Sequence, residues 1–224
     1  VLCATAVSAF LVEPHRLEER TVRIESAKVK APLKIAVVAD LQTDSIGTYE
    51  RDVVRRMMAA KPDLILHVGD YLQIYGEGRA EQVAKMRELF KEVTAPLGVY
   101  AVQGNVDPDD WTTLFDSGVT CMHRTESMLT GEIRITGLSL KDSFDASTHP
   151  VERDAGRFHL VMGHAPNFAM ANPPADLIVA GHTHGGQVQL PLIGPLITLS
   201  SVPRNWAQGT TRFPDGRTLV VSRG

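Results

Sequence analysis

Cysteine is scarce. Two residues in a chain of 224, Cys3 and Cys121, cannot build a disulfide framework, and their spacing matches no cysteine-based metal site. A single bridge, and with it the redox compartment, stays open. A dominant charge is also missing: 23 basic against 26 acidic residues leave a net charge of -3. No sequence-independent nucleic-acid surface is expected from that balance, and no specific nucleic-acid partner, although a local basic patch fits it. The 18 glycines form neither a Walker loop nor a dinucleotide fingerprint. Serine, cysteine and lysine nucleophile motifs are absent too, as are internal repeats and low-complexity runs. The uncharged opening, residues 1–12 (VLCATAVSAFLV), falls short of the roughly 20 residues that span a bilayer. It reads either as the end of a longer anchor or signal segment or as a short buried helix or strand.

What is present is an ordinary globular composition, 43% hydrophobic and 22% charged, of a length that one domain accommodates. Residues 1–30 are read as the anchor or signal end plus a charged connector or edge strand, and residues 31–224 as the domain. From Lys34 onward, short apolar runs alternate with longer amphipathic stretches, the pattern of an α/β fold. Strands are predicted at 34–39, 63–68, 99–102, 133–138, 158–162, 176–180, 186–190 and 219–222. Helices are predicted at 48–60, with Thr48 as N-cap, and at 80–93, with a short one at 111–115.

The chemistry gathers at the ends of these strands. Asp40 and Gln42 follow the first, Asp70 the second, Asn105 and Asp107 the third, and His164, His182 and His184 later ones. Strand ends are where α/β sheets hold ligands. Glycines adjoin these residues in VGD, QGNVD, MGHAPN and AGHTHGGQ, and glycine lets a backbone turn sharply and a ligand approach closely. Carboxylates, an amide oxygen and imidazoles together form a mixed donor set suited to a pair of Mn, Fe, Zn or Mg ions. A lone GD or GH is usually only a turn; the ordered series, each member after a strand, is the signal.

On these motifs the chain, from about Lys34 to Gly224, resembles the calcineurin-like metallophosphoesterase superfamily, with its D-x-H, G-D, G-N-H-D/E, G-H and G-H-x-H series. GHTHGGQ, the EPHR segment and the closing VVSRG resemble a bacterial, often membrane-anchored or exported subgroup. The resemblance implies a four-layer α/β/β/α sandwich with two divalent metal ions at one edge. It places one ion on Asp40, Asp70 and His184, and the other on Asp70, Asn105, His164 and His182, with Asp70 bridging; Asp70, Asn105, Asp107 and His164 are the expected catalytic positions. It implies hydrolysis of a phosphodiester, pyrophosphate or phosphomonoester, small or lipid-linked, by water that the metals activate. It also implies membrane association through the N-terminus, at the cell envelope.

Two positions depart from that series. Gln42 stands where the first motif carries a histidine ligand, and offers either a weaker amide oxygen to the first ion or a hydrogen bond to one of its ligands. Val106 stands where GNHD carries its histidine, and has no donor at all. The missing proton donor is then replaced from elsewhere, Tyr71 or His123 being the candidates, or not at all, and Asp107 loses its expected partner. A catalytically silent metal- or phosphate-binding protein is the rival expectation. His67, inside an apolar run, is expected to be buried with its hydrogen bonds satisfied, and His15, His123, His149 and His159 to be surface or hydrogen-bonded residues.

Overall fold

The computed structural model describes residues 17–147, 151–186, 189–190, 194–195 and 200–224. The predicted opening segment, the EPHR motif, His15 and His149 lie outside them. In chain order the elements are β1 (Ile35–Val38), α1 (Thr48–Ala59), β2 (Leu64–His67), α2 (Arg79–Phe90), β3 (Val99–Val102), β4 (Val119–Met122), β5 (Glu126–Thr130), β6 (Ile133–Gly137), α3 (Leu140–Phe144), β7 (Phe158–Met162), β8 (Leu177–Ala180), β9 (Gln189–Leu190), β10 (Gly194–Pro195), β11 (Gly209–Arg212) and β12 (Thr218–Val221). Short 3-10 segments at Trp111–Leu114, Pro166–Ala171, His184–Gly186 and Arg204–Trp206 connect them.

Two sheets form the centre. The first has the order β1-β2-β3-β4, all parallel; the second has the order β11-β12-β8-β7-β6-β5, parallel from β12 to β6 with antiparallel edge strands. Side chains alternate between faces along a strand, and the cores follow that period. Leu64 and Leu66 of β2, Tyr100 and Val102 of β3, Leu160 and Met162 of β7 and Leu177 and Val179 of β8 meet in the core between the sheets. The intervening Ile65, Val99 and Ala101 face the helices α1 and α2 through Val54, Met57, Val83 and Met86. On the far side Val161, Ile178, Leu219 and Val221 pack beneath Phe168 and Ala169 of the Pro166–Ala171 turn. The result is the four-layer α/β/β/α sandwich.

The connector before β1 is not a strand. Ile24 and Val29 pack on the inter-sheet core, and the Lys28 ammonium reaches the Asp176 carboxylate at 2.8 Å. Three local expectations need correction. The N-cap of α1 is Gly47, not Thr48, because the Glu50 carboxylate already accepts the Gly47 N–H at 2.7 Å. The expected strand 186–190 is described as a strand only at β9, since Gly186 belongs to the 3-10 turn that carries His184. His67 is buried as expected but not satisfied: neither ring nitrogen has a hydrogen-bond partner, and the ring lies among Phe90, Phe115 and Tyr71.

Candidate metal centre

The loops that leave β1, β2, β3, β7 and β8 at their C-terminal ends converge. Hydrogen bonding between β1 and β2 continues past both strands, from Asp40 N–H to Gly69 O (3.0 Å) and from Gln42 N–H to Asp70 O (2.8 Å). The two acidic loops are thereby locked side by side. Asp40 spans the two sheets: both of its carboxylate oxygens accept the His182 N–H, at 3.1 and 3.0 Å. The approach is too close for any side chain at two glycines. A Cβ at Gly104 would lie 2.1 Å from Asp70 Oδ1, and one at Gly181 would lie 2.6 Å from Asp40 Oδ2.

Two groups of donor atoms result. Asp70, His164 and His182 form one, Asp40, Asp70 and His184 the other, and within each group the ligand atoms lie within 4.8 Å of one another. Asp70 is common to both. The His182-Thr183-His184 stretch works by alternation: Thr183 turns inward and donates its hydroxyl to Ala207 O at 2.6 Å, which leaves the flanking imidazoles to the cluster. Asn105 belongs to the same cluster, its Oδ1 lying 2.8 Å from His164 Nε2.

The chemistry of this set fits a cation. His164 donates Nδ1–H to Val68 O at 2.8 Å, so its Nε2 carries a lone pair. Facing that lone pair are Asn105 Oδ1 at 2.8 Å and Asp70 Oδ2 at 3.4 Å, both acceptors. A metal ion or a proton satisfies three acceptors that meet in this way. Burial alone would lower the His164 pKa, but the hydrogen bond and charge of Asp70 outweigh it and raise it. Asp70 is held below the ordinary carboxylate range because His164 overcomes its burial. Asp40 is pushed up to about 7, by burial first and then by the Asp70 charge, against the opposing pull of His164. His182 is pushed down to about 4 by burial and by the charge of His164, and burial also lowers His184. His182 and His184, kept neutral beside crowded buried carboxylates, are in the state in which imidazoles bind a divalent ion.

Backbone strain is concentrated at the same place. Seven non-glycine residues among those described have positive φ, and five of them are Asp40, Gln42, Asp70, His182 and His184. Such conformations cost roughly 1–2 kcal/mol each for residues with a Cβ and gather where function holds them. The Gln42 side chain lines a cavity of about 700 Å³ together with Ser45, Tyr49, Glu50 and Gln73. Asp107 does not face the donor atoms. Its carboxylate accepts the N–H groups of Asp70 (2.9 Å), Tyr71 (2.8 Å) and Gly104 (2.7 Å), binding the loop after β2 to the loop after β3. Val106 donates its N–H to Asp70 Oδ1 at 3.0 Å.

Neither substitute proposed for the missing histidine reaches the site. The Tyr71 hydroxyl is buried and donates to Val102 O at 2.7 Å, and the His123 ring lies against Trp111. Two aromatic residues that sequence reasoning passed over do sit beside the cluster. The Phe144 ring packs edge-on to His182 with centroids 4.8 Å apart, and the Tyr75 hydroxyl donates to Val106 O at 2.8 Å. Neither lies in a recognisable motif, so only the fold reveals them.

Strand-end carboxylates, an amide and histidines around one shared aspartate are the arrangement of a metal-dependent phosphoesterase. The family model for calcineurin-like phosphoesterases matches residues 33–186, and the chain belongs to that family. The uncharacterized metallophosphoesterase YkuE of Bacillus subtilis is 29% identical over 212 residues, which cover 85% of this chain and 72% of the relative. The phosphodiesterase YaeI of Escherichia coli is 29% identical over 213 residues, covering 87% and 75%. Among solved structures, the phosphoesterase Yfce from E. coli matches with a TM-score of 0.44 and 15% identity, covering 84% of this chain and 78% of that one.

Proposed function

We propose that the chain is a dinuclear metal-dependent phosphoesterase that hydrolyses phosphodiester or pyrophosphate bonds with good leaving groups. The observation that carries this reading is the membership of Asp70 in both donor groups. One ion would be held by Asp40, Asp70 and His184, with the Gln42 amide as a weak further donor, and the other by Asp70, Asn105, His164 and His182. Mn, Fe, Zn or Mg all suit such a set. Ions held there would lower the pKa of water to supply a nucleophile near neutral pH and would neutralise charge on the phosphoryl oxygens.

The chain's own residues divide the remaining work. Asp107 fixes the two loops that present Asp70 and Asn105, so its contribution is to positioning. Val106 sets the leaving-group preference. General acid catalysis is typically worth about 10²- to 10⁴-fold, and an alkoxide leaving group needs it most. Valine cannot supply the proton, and the buried Tyr71 hydroxyl is committed to a backbone carbonyl. A pyrophosphate or aryl ester departs as a stabilised anion, so activity is biased towards these over alkyl monoesters. The YaeI relative is itself named a phosphodiesterase. A cell-envelope substrate, small or lipid-linked, accords with the reading of residues 1–12 as the end of an anchor.

The test is a leaving-group series with the metal-loaded protein, rate being plotted against leaving-group pKa for wild type and Val106→His. A steep dependence in the wild type, flattened by the histidine, is expected. A shallow dependence that the histidine leaves unchanged would mean that another acid is already in place. The rival reading, a silent metal- or phosphate-binding protein, is favoured by the donorless Val106; it requires bound metal without turnover of even an activated aryl phosphodiester.

A further inference from the structure

Phe144 is 36% exposed and Tyr75 is 62% exposed, and large hydrophobic side chains with that much surface are few among the described residues. Phe144 stands one contact from the metal centre, and Tyr75 two. The Phe144 and His182 rings form a T-shaped pair at an interplanar angle of 77°. Tyr75 is tied through its hydroxyl to Val106 O, and the N–H of Val106 donates to Asp70. Both rings nevertheless keep surface open to solvent.

The placement of Phe144 is rigid. It ends α3, whose N-cap Ser139 accepts the Asp142 N–H at 3.1 Å, and Asp142 is bonded in turn to the Thr125 hydroxyl. The next residue inward, Ser143, is fully buried; its hydroxyl accepts the Ala165 N–H at 3.4 Å, on the loop that carries His164. The backbone that carries the ring is therefore tied to the ligand loop through its neighbours, which favours a pre-organised ring.

We propose that Phe144, with Tyr75, forms an aromatic recognition element that binds a planar aromatic group carried on the phosphoester, an aryl or nucleobase moiety. The inference rests on the phosphoesterase reading, since the metal centre holds the phosphoryl group while the rings receive what is attached to it. Stacking of a planar group on an exposed aromatic ring contributes about five- to 150-fold in affinity. Val106 adds apolar surface at the position where the family pattern has a polar histidine.

The experiment is calorimetric titration of the Mn-loaded protein with phenylphosphonate and with methylphosphonate, neither of which can be hydrolysed as an ester. The wild type is expected to bind the phenyl compound about tenfold more tightly. The ratio should fall towards one in Phe144→Leu, which keeps apolar bulk against His182, persist in Phe144→Tyr, and shrink in Tyr75→Ser but not in Tyr75→Phe. A wild-type ratio near one would overturn the proposal. So would an unchanged ratio in Phe144→Leu, or an equal loss of both ligands, because the ring would then merely support His182. Hydrolysis is measured separately: a preference that survives in a protein unable to cleave any activated phosphodiester sinks the enzyme reading and leaves this one standing.

Discussion

Asp40, Gln42, Asp70, His182 and His184 share a left-handed backbone that side chains resist, and each follows a strand whose register is fixed by a buried core. At Gln42 the strained backbone is kept although the side chain departs from the family pattern. Gln42→His should therefore find its ring already aimed at the first ion, and metal titration should show that site tightened, the wild type having the weaker of its two sites there. Equal affinities in the two proteins would place Gln42 outside the ligand set. His67 offers a second test. Burial pushes its pKa down to about 4, from about 6.5 in an unfolded chain. Between these values the unfolded chain takes up a proton that the folded ring refuses, so the wild type loses stability as pH falls from 6.5 towards 4, by about 3 kcal/mol in total. His67→Phe keeps a ring among Phe90, Phe115 and Tyr71 and removes the titration. Denaturant unfolding should show the variant gaining on the wild type steadily as the pH drops; parallel pH profiles would show that the imidazole is hydrated or paired after all.

At the scale of the element, the loops after strands are the working parts, and their geometry depends on glycine. Gly104→Ala would force a Cβ against Asp70 Oδ1 and N, at 2.1 and 2.2 Å, and neither backbone can retreat. Overpacking of this kind costs about 1–3 kcal/mol, which the fold should survive. Loss of metal binding with retained circular dichroism is expected, and wild-type metal affinity in this variant would refute the tight-loop account. The strands that frame these loops were legible from sequence because they are short β-branched runs ending in turn residues. β3 and β7 coincide with their predicted limits. β4, β5, α3 and β11 were not legible. β5 exposes Met128 and Leu129 at the sheet edge and so carries no clean alternation, and α3, with five residues, is too short for helical periodicity. The convergence of the ordered motifs could be anticipated because their order along the chain is itself informative. Three contacts could not. The backbone duty of Asp107, the distance of Tyr71 and His123 from the centre, and the nearness of Phe144 to His182 depend on tertiary packing between residues that no spacing rule connects.

For the whole molecule, the two sheets meet face to face, and the centre sits where the strands of both end. Asp40 from the first sheet and His182 from the second meet directly there. Metal binding should therefore stabilise the fold as a whole. At a free metal concentration 100 times Kd the gain is about 2.7 kcal/mol per site, and thermal unfolding should shift upward with added Mn and back with a chelator. Among the described residues no helix is long and apolar enough to cross a membrane, so the proposed membrane association depends on the segment that contains residues 1–12. The full-length protein should fractionate with membranes and need detergent for release; recovery in the soluble fraction would remove that part of the proposal. The central claim, that two ions share Asp70, is tested most directly by metal stoichiometry. Dialysed wild type reconstituted with Mn should hold two ions per chain, and Asp70→Ala should lose both. One ion per chain in the wild type, or one retained at full affinity by Asp70→Ala, would contradict it.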